Sequence, residues 1–495
     1  MRLGLSEGSV ETLPGTFAPE GARPIELVFR TVGERTSELA LDLALRHVKP
    51  TRAHVIRDVK PFALAVRRML EIEHACDHVV HMDADCLILE DMRPFLDGNR
   101  DPYVDCYVRD RFRGRIHCGV HVTRIDVVNK MREIPEPESD LAYVLRPESR
   151  LRNIALAELG LEKQLKSVHI LHDHFQRHTD IFAKYALREL RSRTEFQRRR
   201  LDASMARWGQ GDDFDVARHA IAHAARTVPP EAKAKHVELY IRNLPYIAEV
   251  EVRKLGLTQT GQVTMEEVER AVKNDPQRLG PAPAKPKVFG LGLSRTGTRS
   301  LTAALHVLGF DTVHYPTDRD TLDTLVRGDA RFPLLDHYDG LTDITVAPYF
   351  EDLDRLHPGA RFILTVRDDE GWLQSCRNHW TGRSAYEEGP REGVGIEEHR
   401  VHMEIRRFLR AAVYASYEFD EARFLRAHRR HVESVKRYFE GRPDDLLVLD
   451  IAAGEGYERL APFLGVALPE QPFPHKGKRL TERMAEQHAN LEVDD

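Results

Sequence analysis

The sequence has little cysteine and no long apolar segment. Among its 495 residues there are five cysteines, an odd number without metal-ligand spacing: Cys76, Cys86, Cys106, Cys118 and Cys376. This scarcity predicts reduced thiols and a cytoplasmic setting. No apolar run approaches the roughly 18 residues that span a bilayer. The N-terminal sequence MRLGLSEGSVETLPG also lacks the basic and apolar parts of a secretory signal. We therefore expect neither a transmembrane segment nor a signal peptide.

A strong charge of one sign is also absent. The formal net charge is −6, which is small for this length and argues against general nucleic-acid binding. It leaves room for local basic patches around anionic cofactors. With 41% hydrophobic and 31% charged residues, the composition is that of folded globular protein. A chain of 495 residues is too long for one ordinary core, so we expect two domains and a connector.

Two stretches of the chain alternate strand and helix patterns. In the first, the predicted strands PIELVFRTV, RAHVIRDV and DHVVHMD are separated by amphipathic helices, which favours a parallel sheet. The second begins after the proline-rich PAPAKP, with predicted strands KVFGLGL, DTVHY, ARFILTVRD and LLVLDI. Long charged helical patterns lie between the two. The sequence thus predicts an α/β fold with two α/β domains, residues 1–185 and 285–495, joined by a helical connector over residues 186–284.

The segment KVFGLGLSRTGTRSL has the layout of a phosphate-binding loop but contains no lysine in the loop. Gly292 and Gly297 have P-loop spacing, yet Thr298 stands where the lysine belongs and Arg299 where Ser or Thr would hold magnesium. A nucleotide triphosphatase is therefore disfavoured. Gly290 and Gly292 also begin a dinucleotide fingerprint, but its third glycine falls two positions late. An acidic residue at a suitable distance, Asp311, keeps an NADP-binding oxidoreductase or a regulatory nucleotide-binding module as an alternative.

The stretch LSRTGTRSL resembles the 5′-phosphosulfate loop of the sulfotransferases that use 3′-phosphoadenosine-5′-phosphosulfate (PAPS). The resemblance implies that the loop and the start of the next helix bind the 5′-phosphate through backbone N–H groups. It also implies that Arg295 meets the oxygen between phosphate and sulfate, where negative charge grows as that bond breaks. No metal is needed in this loop. The implied cofactor-binding residues are Ser294, Arg295, Thr296, Gly297, Thr298 and Arg299.

Two further segments resemble the same family. In ARFILTVRDDEGWLQS, Arg367 ends a predicted strand and Ser375 follows on a helix, as in the family's 3′-phosphate clamp. Near the end, LLVLDIAAGEGYERLAPFLGVALPEQPFPHKG resembles the closing segment of bacterial sulfotransferases, with Lys476 and Gly477 in a cofactor loop. The resemblance covers about residues 285–480.

Sulfuryl transfer requires a base near the acceptor hydroxyl, and several residues qualify. We favour Asp343, which precedes the stretch that leads to the clamp, although an aspartate at a helix N-cap is an equally good interpretation of this residue alone. His314, in the predicted strand DTVHY, is a second candidate. Asp336 and His337 complete the set.

In the first domain, HVVHMDADCLILEDMRPFL places Asp83 and Asp85 where a buried strand meets solvent. Two carboxylates flanking one residue can chelate a divalent cation, which can neutralise a diphosphate leaving group. With the glycine-led CGVHVTRIDVVNKM downstream, about residues 24–185 resemble the A-type glycosyltransferases with a DxD motif. That resemblance implies a nucleotide-sugar donor and a divalent cation, Mn²⁺ or Mg²⁺.

The same resemblance implies further ligands. A histidine late in such a domain often completes the metal site, and here His172 or His174 would do so. Thr31 and Asp58 follow the first two predicted strands, where the donor nucleotide would bind.

The predicted function is therefore bifunctional. One domain would add a sugar and the other a sulfuryl group to a hydroxyl of a glycan or glycoconjugate, with no nucleic-acid partner. The alternative is a sulfotransferase whose first domain only binds carbohydrate.

Overall fold

The computed structural model describes residues 5–476 except 138, 258–260, 282–283, 382, 387–395 and 470. The described residues divide into two compact units, 5–281 and 284–476. No helix within these ranges combines the length and the apolar content that crossing a membrane requires. The predicted fold class, with two α/β regions, is confirmed.

The first unit contains an eight-stranded sheet with the strand order β1-β3-β2-β4-β7-β6-β8-β5. Its strands are β1 Ser9–Thr12, β2 Ile25–Thr31, β3 Arg52–Arg57, β4 His78–Asp83, β5 Cys86–Ile88, β6 Tyr103–Asp110, β7 Gly114–Arg124 and β8 Gln164–His172. Strands β3, β2 and β4 are parallel, and so are β6 and β8. The predicted parallel arrangement of the three strands β2, β3 and β4 is confirmed. The sheet as a whole is mixed, because β1, β5 and β7 pair antiparallel with their neighbours.

The helices of this unit up to the last strand cover the sheet. They are α1 Ser37–Val48, α2 Phe62–Leu70, α3 Arg93–Gly98, α4 Ile125–Glu133, α5 Leu141–Leu145 and α6 Pro147–Leu159. In α1 the buried residues Ala40, Leu43, Ala44 and Val48 recur at helical spacing and form one apolar face. Every residue of β2 is buried, as a central strand between covered faces requires.

Six more helices follow the sheet in sequence and belong to the same unit. They are α7 His178–Arg191, α8 Glu195–Ala206, α9 Asp212–Thr227, α10 Ala234–Lys254, α11 Met265–Asn274 and α12 Pro276–Leu279. The apolar faces of α7 to α10 form one core, which also includes Phe112 from the β6–β7 turn and Leu145 from α5. The predicted connector, residues 186–284, therefore shares a core with the sheet region, and the predicted boundary at residue 185 falls inside α7.

The second unit contains a parallel five-stranded sheet with the order β10-β11-β9-β12-β13. The strands are β9 Val288–Gly290, β10 Thr312–His314, β11 Gly340–Thr342, β12 Arg361–Thr365 and β13 Leu446–Leu449. The helices are α13 Thr298–Val307, α14 Arg319–Arg327, α15 Phe350–Leu356, α16 Asp369–Trp380, α17 Ile396–Tyr414, α18 Glu421–Tyr438 and α19 Tyr457–Leu464. Two short 3₁₀ helices span Pro333–Asp336 and Ala347–Tyr349. Because β9 is central and all strands are parallel, the loop that leaves β9 is flanked by the carboxyl ends of β11 and β12.

Candidate functional site

The phosphate-type loop of the second unit connects β9 to α13. Two positions need a left-handed backbone: Arg295 has φ 76° and Gly297, the residue before the first helical residue, has φ 102°. Glycine adopts such angles without steric cost, whereas a non-glycine residue adopts them rarely. The predicted strand–loop–helix therefore forms. Contacts with the surrounding residues must stabilise the left-handed conformation of Arg295.

The loop packs directly on β12. A Cβ atom at Gly292 would lie 1.7 Å from the Thr365 hydroxyl oxygen, so no larger residue fits there as the loop stands. Beside it, the hydroxyls of Thr296 and Thr365 are 2.6 Å apart, and Thr296 Oγ1 also donates to the Leu293 carbonyl at 2.7 Å. These contacts fix the loop against the strand that leads to Arg367.

Helix α16 connects the loop to the predicted 3′-phosphate clamp. Arg295 Nε donates to Ser375 Oγ at 3.0 Å, and Trp372 Nε1 donates to the Ser294 carbonyl at 3.0 Å. Within the described parts of the chain, the two terminal guanidinium nitrogens of Arg295 have no hydrogen-bond partner. The buried Nε of Arg367 has none either. The structure thus brings Arg295, Arg367 and Ser375 into one site with unused cationic donors.

The electrostatics of this site are strongly positive. Burial, together with the nearby charges of Arg367 and Arg383, lowers the pKa of Arg295. Burial and the charges of Arg295, Arg383 and Arg299 lower the pKa of His379 to about 3. An anion bound here would relieve this repulsion.

Sequence reasoning missed His379 and Arg383. His379 lies one helical turn after Ser375 on α16, so helical spacing alone could have placed it beside the clamp. Arg383 follows the end of the same helix, and no motif signals it.

On the other side of the loop, Asp343 follows β11 and has φ 78°. Its Oδ1 accepts hydrogen bonds from Ser294 Oγ at 2.6 Å and from the Ile344 N–H at 2.7 Å. Its Oδ2 lies 2.9 Å from His314 Nε2 and accepts from Thr298 Oγ1 at 3.3 Å. Both carboxylate oxygens are therefore occupied by protein donors.

This bonding changes the acid–base properties of the pair. Burial opposes ionisation of Asp343, but the hydrogen bond and charge of His314 and the hydrogen bond from Ser294 lower the pKa of Asp343 overall. A carboxylate that is so well solvated by donors is a weak base, yet it holds the His314 ring in one orientation. Nδ1, the other ring nitrogen of His314, has no hydrogen-bond partner in the described residues.

The remaining sulfotransferase-type candidates lie in different places. The Lys476 backbone N–H donates to Ser300 Oγ at 3.0 Å, which brings the closing segment to the start of α13. Arg299 is exposed in the first turn of α13. Asp336 and His337 precede β11, at the opposite end of that strand from Asp343, so the fold does not bring them to the loop. Gly477 lies outside the described residues.

In the first unit, Asp83 ends β4 and is paired with a buried arginine. Arg30 donates from Nε to Asp83 Oδ1 and from Nη1 to Glu148 Oε2, each at 2.7 Å. Burial and the nearby carboxylates of Asp85 and Glu148 raise the pKa of Asp83 to about 6, against the effect of Arg30. Asp83 therefore carries a cationic partner without any metal.

Asp85 is paired with a lysine that the sequence did not point to. Lys184 Nζ, from α7, donates to both Asp85 and Asp173. Burial opposes ionisation of Asp85, but Lys184 and His172 lower its pKa well below the usual value. The lysine lies 99 residues after Asp85, and no local pattern connects the two.

His172 is the centre of a group of metal-ligating side chains. Its Nδ1 lies 2.6 Å from Asp110 Oδ2, and its Nε2 lies 3.6 Å from Asp85 Oδ2. Burial disfavours the charged ring, but Asp173 and Asp85 raise the pKa of His172 well above its usual value. Among the described residues, two sets of three ligand atoms that include His172 lie within 4.8 Å of one another: Asp85, Cys86 and His172, and Asp110, Cys118 and His172. Cys86 and Cys118 were missed, since their proximity arises from strand pairing rather than from sequence spacing.

The other predicted residues of the first unit are not part of that group. His174 is buried, and its Nε2 has no hydrogen-bond partner in the described part of the chain. Burial, followed by the charge of Arg111, lowers its pKa to about 3. The Thr31 hydroxyl lies 2.7 Å from Ser37 Oγ and 2.7 Å from Glu34 Oε2. Asp58, after β3, forms a salt bridge of 2.7 Å with Lys60 and is largely exposed.

Comparison with known proteins bears on the second unit. Residues 287–481 match the family model described as a sulfotransferase domain. The matched stretch contains the loop, the Asp343–His314 pair and the Arg367–Ser375 positions. A relative, the Ava biosynthesis cluster protein M of Aspergillus versicolor, is 26% identical over 220 residues, covering 38% of this chain and 80% of that protein. The resemblance of the second half to sulfotransferases is confirmed.

Solved structures similar to this chain match it weakly. One is described as a glucose-1-phosphate thymidylyltransferase from Bacillus anthracis, with 11% identity and a TM-score of 0.21. That match covers 39% of this chain and 99% of the other. Another is the glycosyltransferase GlyE of Streptococcus pneumoniae, with 10% identity and a TM-score of 0.18, covering 71% of this chain and 88% of the other. At these scores neither structure carries an argument about function.

Proposed function

We propose that the second unit transfers a sulfuryl group from PAPS to a hydroxyl group of a glycan or glycoconjugate. The observation that carries this proposal is the Arg295–Ser375 hydrogen bond, which joins the phosphate-type loop to the predicted clamp. The unpaired Nε of Arg367 fits an additional anion, since a buried donor without an acceptor is costly unless a ligand supplies one. A cofactor with phosphates at both the 5′ and the 3′ position matches these two cationic positions.

In this proposal the protein supplies positioning and fixed charge. Arg367 and Ser375 hold the 3′-phosphate, and the N–H groups of Gly297 to Arg299 at the start of α13 face the 5′-phosphate. The Thr296 N–H instead donates to the Leu293 carbonyl at 3.2 Å. Arg295 directs its free terminal N–H groups at the oxygen between phosphorus and sulfur. Negative charge on that oxygen grows as its bond to sulfur breaks, so the arginine stabilises the transition state more than the bound donor.

The proton of the acceptor hydroxyl passes to His314 in this proposal, and Asp343 is the positioning residue. The acceptor oxygen forms a bond to sulfur while the bond from sulfur to the phosphate oxygen breaks, and the hydroxyl proton moves to Nδ1 of His314. Asp343 fixes the ring through Nε2 and stabilises the imidazolium that forms. This assignment exchanges the roles of the two leading candidates, because both Asp343 oxygens already accept protein hydrogen bonds.

The binding part of the proposal is tested by calorimetry on the full chain. We expect 3′-phosphoadenosine-5′-phosphate to bind at least ten times more tightly than AMP, because AMP lacks the phosphate assigned to Arg367. NADP and ATP serve as further comparison ligands. Equal affinity for AMP, or preferential binding of NADP, would contradict the assignment and favour the oxidoreductase alternative.

For the first unit we propose transfer of a sugar from a nucleotide-sugar donor, with a divalent cation held by Asp85 and His172. Support comes from the convergence of Asp85, Cys86 and His172 at the end of β4 and β8. Mn²⁺ and Mg²⁺ prefer oxygen ligands and thiolates favour softer metals, so Cys86 is not assigned as a ligand of this cation. The test is release of nucleoside diphosphate from candidate nucleotide sugars, measured with and without added Mn²⁺.

A second candidate function for the first unit is carbohydrate binding without catalysis. Lys184 favours it, because this cation already lies between Asp85 and Asp173 where a metal would bind. A titration of Mn²⁺ against Asp85→Asn and the unsubstituted chain separates the two. Metal binding that the substitution abolishes supports the transferase, and equal behaviour of the two proteins supports the binding module.

A further inference from the structure

The first unit contains a second polar site, a cavity of about 410 Å³ that does not include Asp83 or Asp85. Its charged lining residues are Arg35, Arg111, Arg177, Arg278, Asp213 and Asp275. Four arginines against two aspartates give the cavity an excess of positive charge. Such a lining favours an anionic ligand.

The arginine charges are incompletely compensated by the protein. Arg35 donates to two neutral backbone carbonyls, those of Gly261 at 2.6 Å and Phe175 at 3.2 Å. Arg111 Nε lies 3.6 Å from Asp213 Oδ2, a distance too long for a strong hydrogen bond. The side chains of Arg177 and Arg278 have no hydrogen bond or salt bridge in the described parts of the chain. Four guanidinium groups therefore retain N–H donors for a ligand.

Two buried polar atoms of the lining residues also lack partners. His174 is 8% exposed and Gln176 is 5% exposed, and both line the cavity. Among the described residues, neither His174 Nε2 nor Gln176 Oε1 has a hydrogen-bond partner. Buried polar atoms without partners are rare in folded proteins, so an unpaired ring nitrogen beside a positive cavity points to a ligand atom that completes it.

The position of the cavity in the fold explains why these residues meet. Arg35 follows β2, Arg111 follows β6, and His174 and Arg177 follow β8. Strands β6 and β8 run parallel, so their carboxyl ends lie at the same edge of the sheet. Arg278 comes from α12 and completes the lining.

We propose that this cavity binds a tetrahedral oxyanion, a phosphate or sulfate ester, through its arginines and His174 and without a metal. The planar guanidinium group presents paired N–H donors that match two oxygens of such a group. Two ligands share this chemistry: the diphosphate of a nucleotide, and a saccharide that carries a sulfate or phosphate ester. The inference needs neither the proposed sugar transfer nor the Asp85 site.

The test is calorimetry in EDTA on the full chain carrying Arg295→Ala, which weakens the second unit's loop as a competing oxyanion site. The probes are inorganic pyrophosphate, UDP and N-acetylglucosamine 6-sulfate, with N-acetylglucosamine as the uncharged control. We expect at least one anionic probe to bind and to lose about tenfold or more in affinity in Arg278→Ala and in Arg177→Ala. The matched control is Arg270→Ala, an exposed position on α11 that does not line the cavity.

The pattern among the probes identifies the source of the oxyanion. Arg278-dependent binding of UDP but not of the sulfated sugar assigns the cavity to a nucleotide, and the reverse assigns it to an esterified acceptor. Pyrophosphate binding alone still supports the oxyanion site. The inference is overturned if the affinity for no anionic probe falls in Arg278→Ala or Arg177→Ala. It is also overturned if the probes fail to bind in EDTA, bind when Mn²⁺ replaces the EDTA, and lose that binding in Asp85→Asn.

Discussion

The two candidate catalytic sites differ in whether their charged side chains already have partners of opposite charge. In the phosphate-type loop, Arg295 and Arg367 keep donors that no described residue accepts from. Burial, together with the charges of the nearby arginines, lowers the pKa of His379 to about 3. Around β4 of the first unit, each acidic residue of the DxD motif already has a cation, Arg30 for Asp83 and Lys184 for Asp85.

The difference bears on how each site would bind its ligand. An anion bound at the loop would accept hydrogen bonds from arginine donors that no described residue accepts from. A metal at Asp85 would first have to displace Lys184. An anion at the loop would therefore need little rearrangement of the protein, whereas a metal at Asp85 would require Lys184 to move.

The largest effect that tests this comparison is expected from Arg295→Ala. We expect a loss of ~100-fold or more in the sulfuryl-transfer rate, because the arginine meets charge that develops only in the transition state. A coupled assay with PAPS and a supplied acceptor measures it. Arg430→Ala, an exposed position on α18, is the matched control and should retain full activity. Unchanged activity in Arg295→Ala would contradict the role of the loop.

The next effect concerns Arg367→Ala. Losing a charge-assisted hydrogen bond to phosphate costs on the order of 2 kcal/mol, so affinity for 3′-phosphoadenosine-5′-phosphate should fall by roughly 30-fold. Affinity for AMP should hardly change, since AMP lacks the 3′-phosphate. Calorimetry with both nucleotides makes the comparison. Equal losses for the two nucleotides would show that Arg367 acts on the fold or on the 5′ side instead.

The third effect concerns Lys184→Met, which tests whether Lys184 competes with a metal ion for Asp85. Without the competing ammonium group, we expect the affinity for Mn²⁺ to rise by about tenfold, provided that Asp85 binds the metal. In the absence of metal, the same variant should unfold more easily, because Asp85 and Asp173 lose their shared cation. Thermal unfolding with and without Mn²⁺ measures both effects, with Lys235→Met as the exposed control.

If Mn²⁺ stabilises Lys184→Met no more than it stabilises the unsubstituted chain, then Asp85 is not a metal ligand. The carbohydrate-binding interpretation of the first unit would then be favoured.

The smallest effect is expected for Asp343→Asn, and it depends on pH. The pKa of Asp343 in the folded state lies below its ordinary value of 3.8, so its ionisation stabilises the fold fully above pH 3.8 and less as pH falls through the folded-state pKa. We expect the variant to lose about 1 kcal/mol of unfolding free energy near pH 7. Denaturant unfolding at several pH values should show this gap closing in acid. A gap that stays constant from pH 7 to pH 2 would contradict the assigned hydrogen bonds.

Local patterns explain why the second unit was the more predictable one. The spacing of Gly292, Gly297 and Arg295 signals a loop between a strand and a helix, and both ends form as expected. Ser375 lies on α16, which begins at Asp369, two residues after Arg367, so the short strand–loop–helix segment itself places the two residues in one region. The direct contact between Arg295 and Ser375 could not be predicted, since it depends on how α16 packs against the loop.

In the first unit the decisive contacts are between residues far apart in sequence. Strand β7 pairs with β4 and β6, and this pairing places Cys118 near His172, which ends β8. Lys184 reaches Asp85 only because α7 packs beside the end of the sheet. No periodicity in the sequence indicates such pairings. The acidic pair Asp83 and Asp85 was therefore predicted, but the contact of Asp85 with Lys184 was not.

The contact between Gly292 and Thr365 has a consequence for how this sequence can vary. A methyl group at position 292 would occupy the space of the threonine hydroxyl, so a single exchange there is blocked. A smaller residue at position 365 would open that space, but it would also remove the hydroxyl that lies 2.6 Å from Thr296 Oγ1. The Oγ1 atom of Thr296 would also lie 2.6 Å from a Cβ atom at position 292, so a larger residue there requires changes at both threonines. Among homologous chains, Gly292 should be replaced only where residues 296 and 365 are replaced as well.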